Sequence, residues 1–122
     1  MKYPKWTIKQ AIDRVREKLN KQGRRCVKPK DEFVCALYDN VNACNRCAIG
    51  WLIPRDKLRR KDVLQGQGSY MSREQFPEYL GDLNDNFLEE LQRAHDSRYE
   101  DSASWLDGLN CSLDRIEREY LV

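Results

Sequence analysis

The stretch Cys44 to Pro54 reads CNRCAIGWLIP, and it holds the residue types in this chain that most readily do chemistry. Two cysteines at C-x-x-C spacing can grip one zinc ion, because a two-residue gap lets both thiolates reach a single tetrahedral centre. No second such pair exists, so a zinc set would be Cys35, Cys44, Cys47 and His95, with Cys26 as a substitute. The same segment can instead carry a nucleophile. Cys47 stands where a short apolar helix would begin, and the unpaired N–H groups of a helix start favour a thiolate. Its base would be His95, the one histidine, with Asp96 to orient it. On a helix, side chains at i and i+1 do not face each other, so Asp96 is expected to point away from His95. The third reading is burial. Free cysteine is among the most buried residue types, and Ala48, Ile49, Trp51, Leu52 and Ile53 leave few positions for solvent. Buried thiols account for the segment best, and no catalytic set, metal or cofactor is favoured.

The wider composition fits that preference. Five cysteines, at 26, 35, 44, 47 and 111, are an odd number, and the opening MKYPKWTIKQ has no apolar core of the kind a secretory signal needs. Free thiols in a reducing, cytoplasmic compartment are therefore expected. Apolar residues make up 40% of the 122 and charged residues 34%, the balance of one ordinary domain spanning 1–122. The longest apolar run, Cys47 to Ile53, is too short to span a bilayer. There is also no P-loop, dinucleotide glycine fingerprint, H-E-x-x-H or G-x-S-x-G.

Charge is distributed unevenly. Residues 1–61 hold 17 Lys and Arg against 6 Asp and Glu, a net +11, whereas 62–122 hold 5 against 14, a net −9. Such asymmetry marks either two charged faces for partners or two halves that fold together and neutralise. The basic residues that would make a contact surface are Arg24, Arg25, Arg55, Lys57, Arg59, Arg60 and Lys61. They suit phosphates or an acidic protein, although no RNP signature, zinc finger or helix-turn-helix accompanies them.

These residues need elements to place them. Thr7 and Gln10 form a capping box behind the staple residue Trp6, and Ile8, Ala11, Ile12, Val15 and Leu19 follow at helical spacing until Gly23. RCVKP and EFVCALY then read as two short strands of a hairpin, followed by a loop over Asp39 to Asn45. Cys47 to Ile53 reads as a short central helix ended by Pro54. A second capping box at Ser72 to Gln75 opens a short helix interrupted near Pro77 or Gly81. Leu83, Phe87, Leu91 and Ala94 form the next helical stripe, with Leu88 and His95 beside it. Trp105, Leu109, Leu113, Ile116 and Tyr120 form the last, capped at Ser102 or Ser104. The expected class is mainly α (α+β), a single domain of four to five helices with one small β-hairpin.

Taken in order, Cys35-x-x-Tyr38, Arg46-Cys47-Ala48-Ile49-Gly50-x-Leu52-Ile53-Pro54, Leu91-Gln92-x-x-His95-Asp96, Trp105 and Leu113-x-x-Ile116-x-x-x-Tyr120 resemble small accessory proteins encoded by tailed phages and prophages. That resemblance implies host takeover or counter-defence in the host cytoplasm. It also keeps Cys47, His95 and Asp96 in view, whereas Cys26, Cys44 and Cys111 look particular to this chain. The expected function is to bind and block a host protein, such as a component of antiviral defence. The alternatives are a nucleic-acid-binding regulator using the basic first half and, behind it, a cysteine-dependent hydrolase.

Overall fold

The structure is a computed structural model, and it describes residues 6–28, 31–35, 46–54, 57, 76–97 and 102–121. Among them are four α-helices: α1 (Ile8–Gln22), α2 (Pro77–Leu80), α3 (Asp85–Asp96) and α4 (Ser102–Tyr120), with a 3-10 turn at Ile49–Leu52.

Local chemistry sets the helix ends. The Thr7 hydroxyl accepts from the Gln10 amide at 3.2 Å, and the Gln10 side chain accepts from the Thr7 amide at 3.2 Å, so two otherwise unpaired donors are satisfied. Gly23 ends α1 at φ 75°, a left-handed conformation that glycine adopts without a Cβ penalty, and donates to the Leu19 carbonyl at 2.9 Å. Pro77 begins α2 rather than interrupting a helix: it occupies the first turn, where its missing N–H costs nothing, behind the buried Phe76. The capping box expected at Ser72 to Gln75 lies outside the described residues. Asn84 caps α3 by accepting from the amides of Asn86 and Phe87.

Each long helix turns one stripe inward. Ala11, Ile12, Val15 and Leu19 of α1 meet Phe87, Leu88, Leu91 and Ala94 of α3 and Trp105, Leu109, Leu113 and Ile116 of α4 in one cluster, which Cys47 to Ile49, Leu52 and Ile53 close. Trp105 is buried within it, while Trp6 and Trp51 are half-buried and pack against it. The seam between α1 and α4 is also ionic. Arg16 bridges Asp114 at 2.8 Å and Glu117 at 2.9 Å, and Asn20 and Asn110 exchange amide hydrogen bonds. Part of the charge asymmetry is thus neutralised inside the fold.

The expected fold class is corrected. The described body is built of α-helices, and this overturns the α+β assignment with its β-hairpin. Between α1 and the 3-10 turn, Val27–Lys28 and Asp31–Cys35 run antiparallel with a register irregularity after Val27. RCVKP and EFVCALY have strand-like composition, but composition cannot supply the sheet partners an isolated pair needs. The short central helix is corrected as well: Ile49–Leu52 is a 3-10 turn. Four residues ended by β-branched Ile53 and Pro54 suit the tighter i to i+3 geometry. No helix among the described residues is long and apolar enough to cross a membrane.

At the end of α4, Tyr120 packs edge-on against Phe87 with ring centroids 5.3 Å apart. Its phenol is pushed up to about 12 from the usual 10, first by burial, then by its hydrogen bond to Glu90 and the negative charge of Glu90 and Glu119. The folded chain therefore prefers the neutral phenol. That contribution to stability is complete below pH 10 and is lost as the pH rises towards 12. A phenolate absorbance titration should show one tyrosine ionising late, and Tyr120→Phe should remove that step. A titration curve unchanged in shape by the substitution would contradict the placement of Tyr120.

Candidate functional site

The residues that sequence spacing nominates for catalysis are occupied in holding segments together. His95, on the last turn of α3, is fully buried. Its Nε2 accepts from the Cys26 backbone N–H at 2.9 Å, which requires an unprotonated nitrogen at that position. Its Nδ1 lies 2.8 Å from Asp96 Oδ1 and carries the proton donated there. Asp96 Oδ1 also accepts from Gln92 Nε2 at 2.8 Å, and Gln92 Oε1 in turn accepts from the Ile49 amide at 3.4 Å. Trp105 Nε1 donates to the His95 carbonyl at 2.9 Å, with its ring edge-on to the imidazole. Gln92, His95 and Asp96 thereby tie α3 to the 3-10 turn, to Cys26 and to α4.

Two expectations change here. Asp96 does face His95, because the helix ends at Asp96 and the extended backbone at Ser97 frees the Asp96 carboxylate from the spacing of the helix interior. With both ring nitrogens engaged, His95 has no lone pair left to deprotonate Cys47. Cys47 itself is buried in the core, and its Sγ accepts from the Gly50 amide at 3.3 Å. The thiol acts as a cap for the 3-10 turn. Native Cys47 should accordingly resist alkylation and react only on unfolding, and Cys47→Ala should stay folded with a loss of about 1 kcal/mol, near that of one hydrogen bond. Rapid native labelling, read by intact-mass spectrometry, would contradict this.

Of the possible zinc ligands, Cys44 and the Cys35 side chain lie outside the described residues. Among the described residues, no three His, Cys, Asp or Glu are grouped to hold a metal. Of the expected basic contact residues, Arg55, Arg59, Arg60 and Lys61 lie outside the described residues. Arg24 is exposed at the end of α1, and Arg25 and Lys57 are half-buried.

A different constellation gathers around Trp51. Its ring has the Arg46 guanidinium 4.4 Å from the centroid, the Lys18 ammonium at 5.7 Å and the Arg14 guanidinium at 5.8 Å. Each cation is attracted to the ring's quadrupole by about 0.5–2 kcal/mol. Arg46 is buried, and its Nη1 donates to the Ile53 carbonyl at 3.2 Å. Gln22 organises the cluster. Its Oε1 accepts from the Arg46 amide and from Trp51 Nε1, and its Nε2 donates to the carbonyls of Arg46 and Arg24. Arg14 Nε donates to the Trp51 carbonyl at 3.1 Å, and Trp6 Nε1 to the Leu52 carbonyl at 2.7 Å. Beside these groups a cleft of about 510 Å³ opens between α1 and the 3-10 turn, lined in part by Trp6, Arg14, Trp51, Ile53, Pro54 and Tyr79.

Sequence reasoning missed Arg14, Lys18, Gln22 and Arg46 as a group. The one signal present was Arg14 and Lys18 at i and i+4 on the flank of an otherwise regular amphipathic helix. Comparison of the chain with protein-family models, with curated proteins and with solved structures finds no match.

Proposed function

We propose that this chain is a non-enzymatic binding protein of phage origin that acts in the host cytoplasm by engaging and blocking a host protein, such as a component of antiviral defence. The observation that carries the reading is the fate of His95. Both its ring nitrogens are bonded inside the fold, so the histidine that a cysteine-dependent hydrolase would need is a structural tie. The resemblance of the C-A-I-G-x-L-I-P and L-Q-x-x-H-D elements to phage accessory proteins supports a host target. The accessible concave surface carries aromatic and basic groups, the residue types that dominate binding hot spots.

The test is copurification. Tagged protein expressed in host cells is expected to retain one host protein in stoichiometric amount, and Cys47→Ala is expected to retain it equally. Loss of function in a folded Cys47→Ala protein, with no captured partner, would overturn the reading in favour of an enzyme.

A second reading, a nucleic-acid-binding regulator, is favoured by one observation: Lys18, Arg24 and Lys57 have no acidic partner among the described residues. Binding of that kind would fall steeply with salt as counterions are released.

A further inference from the structure

We infer that the cleft between α1 and the 3-10 turn is the contact site for an acidic peptide segment of the partner that carries a bulky apolar anchor. The inference rests on the protein-partner reading above and names the chemistry of that partner. Much of the lining is apolar, with Leu52, Ile53, Pro54, Trp6 and Tyr79, and the volume of about 510 Å³ is ample for a large side chain. The charges around it are unequally paired. Asp13 and Glu17 also line the cleft, but each is already held one turn away on the same helix, Asp13 by Lys9 at 3.2 Å and Glu17 by Lys21 at 3.3 Å. Arg14 lines the same cleft, Lys18 stands next to it over the Trp51 ring, and neither has an acidic partner among the described residues.

Arg14 is also fixed in place. Its Nε is tied to the Trp51 carbonyl, the Trp51 ring is tied to Gln22, and the terminal amino groups of Arg14 remain to grip a carboxylate. A site held in this way loses little freedom on binding. A peptide can set its carboxylates on Arg14 and Lys18 while its apolar side chain enters the cleft. A nucleic acid fits less well, because Arg14 and Lys18 beside one cleft offer few phosphate contacts, whereas nucleic-acid affinity comes from neutralising a run of phosphates.

The experiment is selection of a random-sequence peptide library on the full chain. The enriched peptides are then labelled with fluorescein and titrated by anisotropy against the parent chain, Arg14→Gln/Lys18→Gln and, as a distant control, Arg118→Glu. Circular dichroism and melting curves verify that each variant is folded. If the double variant is unfolded, Lys18→Glu alone takes its place. The expected result is enrichment of Asp and Glu around one aromatic or large aliphatic residue, with binding weakened about tenfold or more in the cleft variant, unchanged in Arg118→Glu, and reduced by added salt.

Absence of enriched peptides, enrichment without acidic residues, or equal binding by the cleft variant would overturn the inference. A labelled oligothymidylate that binds the parent chain and displaces the peptide would do the same, in favour of nucleic acid. The two levels fail separately. A host protein captured equally by the parent chain and by the cleft variant leaves the protein-partner reading standing and removes this site, whereas no captured protein removes the reading itself.

Discussion

Trp105→Ala is expected to lower the free energy of unfolding by about 3–5 kcal/mol, the range for deleting a large aromatic from a close-packed core. Trp105 is 3% exposed and stands where α4 meets α3. Its removal leaves a cavity and also strips the His95 carbonyl of the donor 2.9 Å away. Small domains are stable by roughly 5–15 kcal/mol, so this one substitution takes a large share of the total. Urea unfolding followed by circular dichroism measures the change. A midpoint equal to the parent's would mean that α4 does not pack as described.

Ile49→Asp is expected to abolish folding at neutral pH. Ile49 is 1% exposed in the turn that closes the core between α1 and α3. An aspartate there must either bury an unpaired charge or draw water into the cluster, and each costs roughly 4–5 kcal/mol or more. Ile49→Val, which removes one methylene, should cost only about 0.5–1.5 kcal/mol and stay folded. The contrast between the two separates loss of packing from burial of charge. A folded Ile49→Asp protein with a parent-like melting curve would place the turn at the surface.

What was legible in the sequence was what is encoded within a turn or two of chain. The Thr7 and Gln10 capping box, the Gly23 stop and the spacing of Trp105, Leu109, Leu113 and Ile116 each state a local preference, and the structure realises them. Cys47 to Ile53 was not legible in form, because a uniformly apolar run has no periodicity to separate a 3-10 turn from a helix. The strand-like composition around Phe33 misled for a related reason: β-preference reflects fit to a packed sheet, and this core is built by helices.

The cluster around Trp51 was hidden because its parts are distant in sequence. Gln22 reaches residues 24 and 29 positions away, and nothing in a glutamine at a helix end announces such partners. Arg46 stands just before the apolar run and would be expected in water, yet its burial is balanced by the Trp51 face and the Ile53 carbonyl. The basic tally of the first half pointed to a charged face. Pairing of Arg16 with Asp114 and Glu117 then takes part of that charge into the α1–α4 seam, a division visible only once the helices are side by side.

The tautomer that ties His95 to Cys26 and Asp96 can be read directly. In a long-range ¹⁵N–¹H correlation spectrum at neutral pH, a neutral imidazole protonated on Nδ1, with Nε2 in the chemical-shift range of a hydrogen-bond acceptor, is the expected result. A proton on Nε2, or an imidazolium opposite a Cys47 thiolate, would contradict it and return the pair to catalysis.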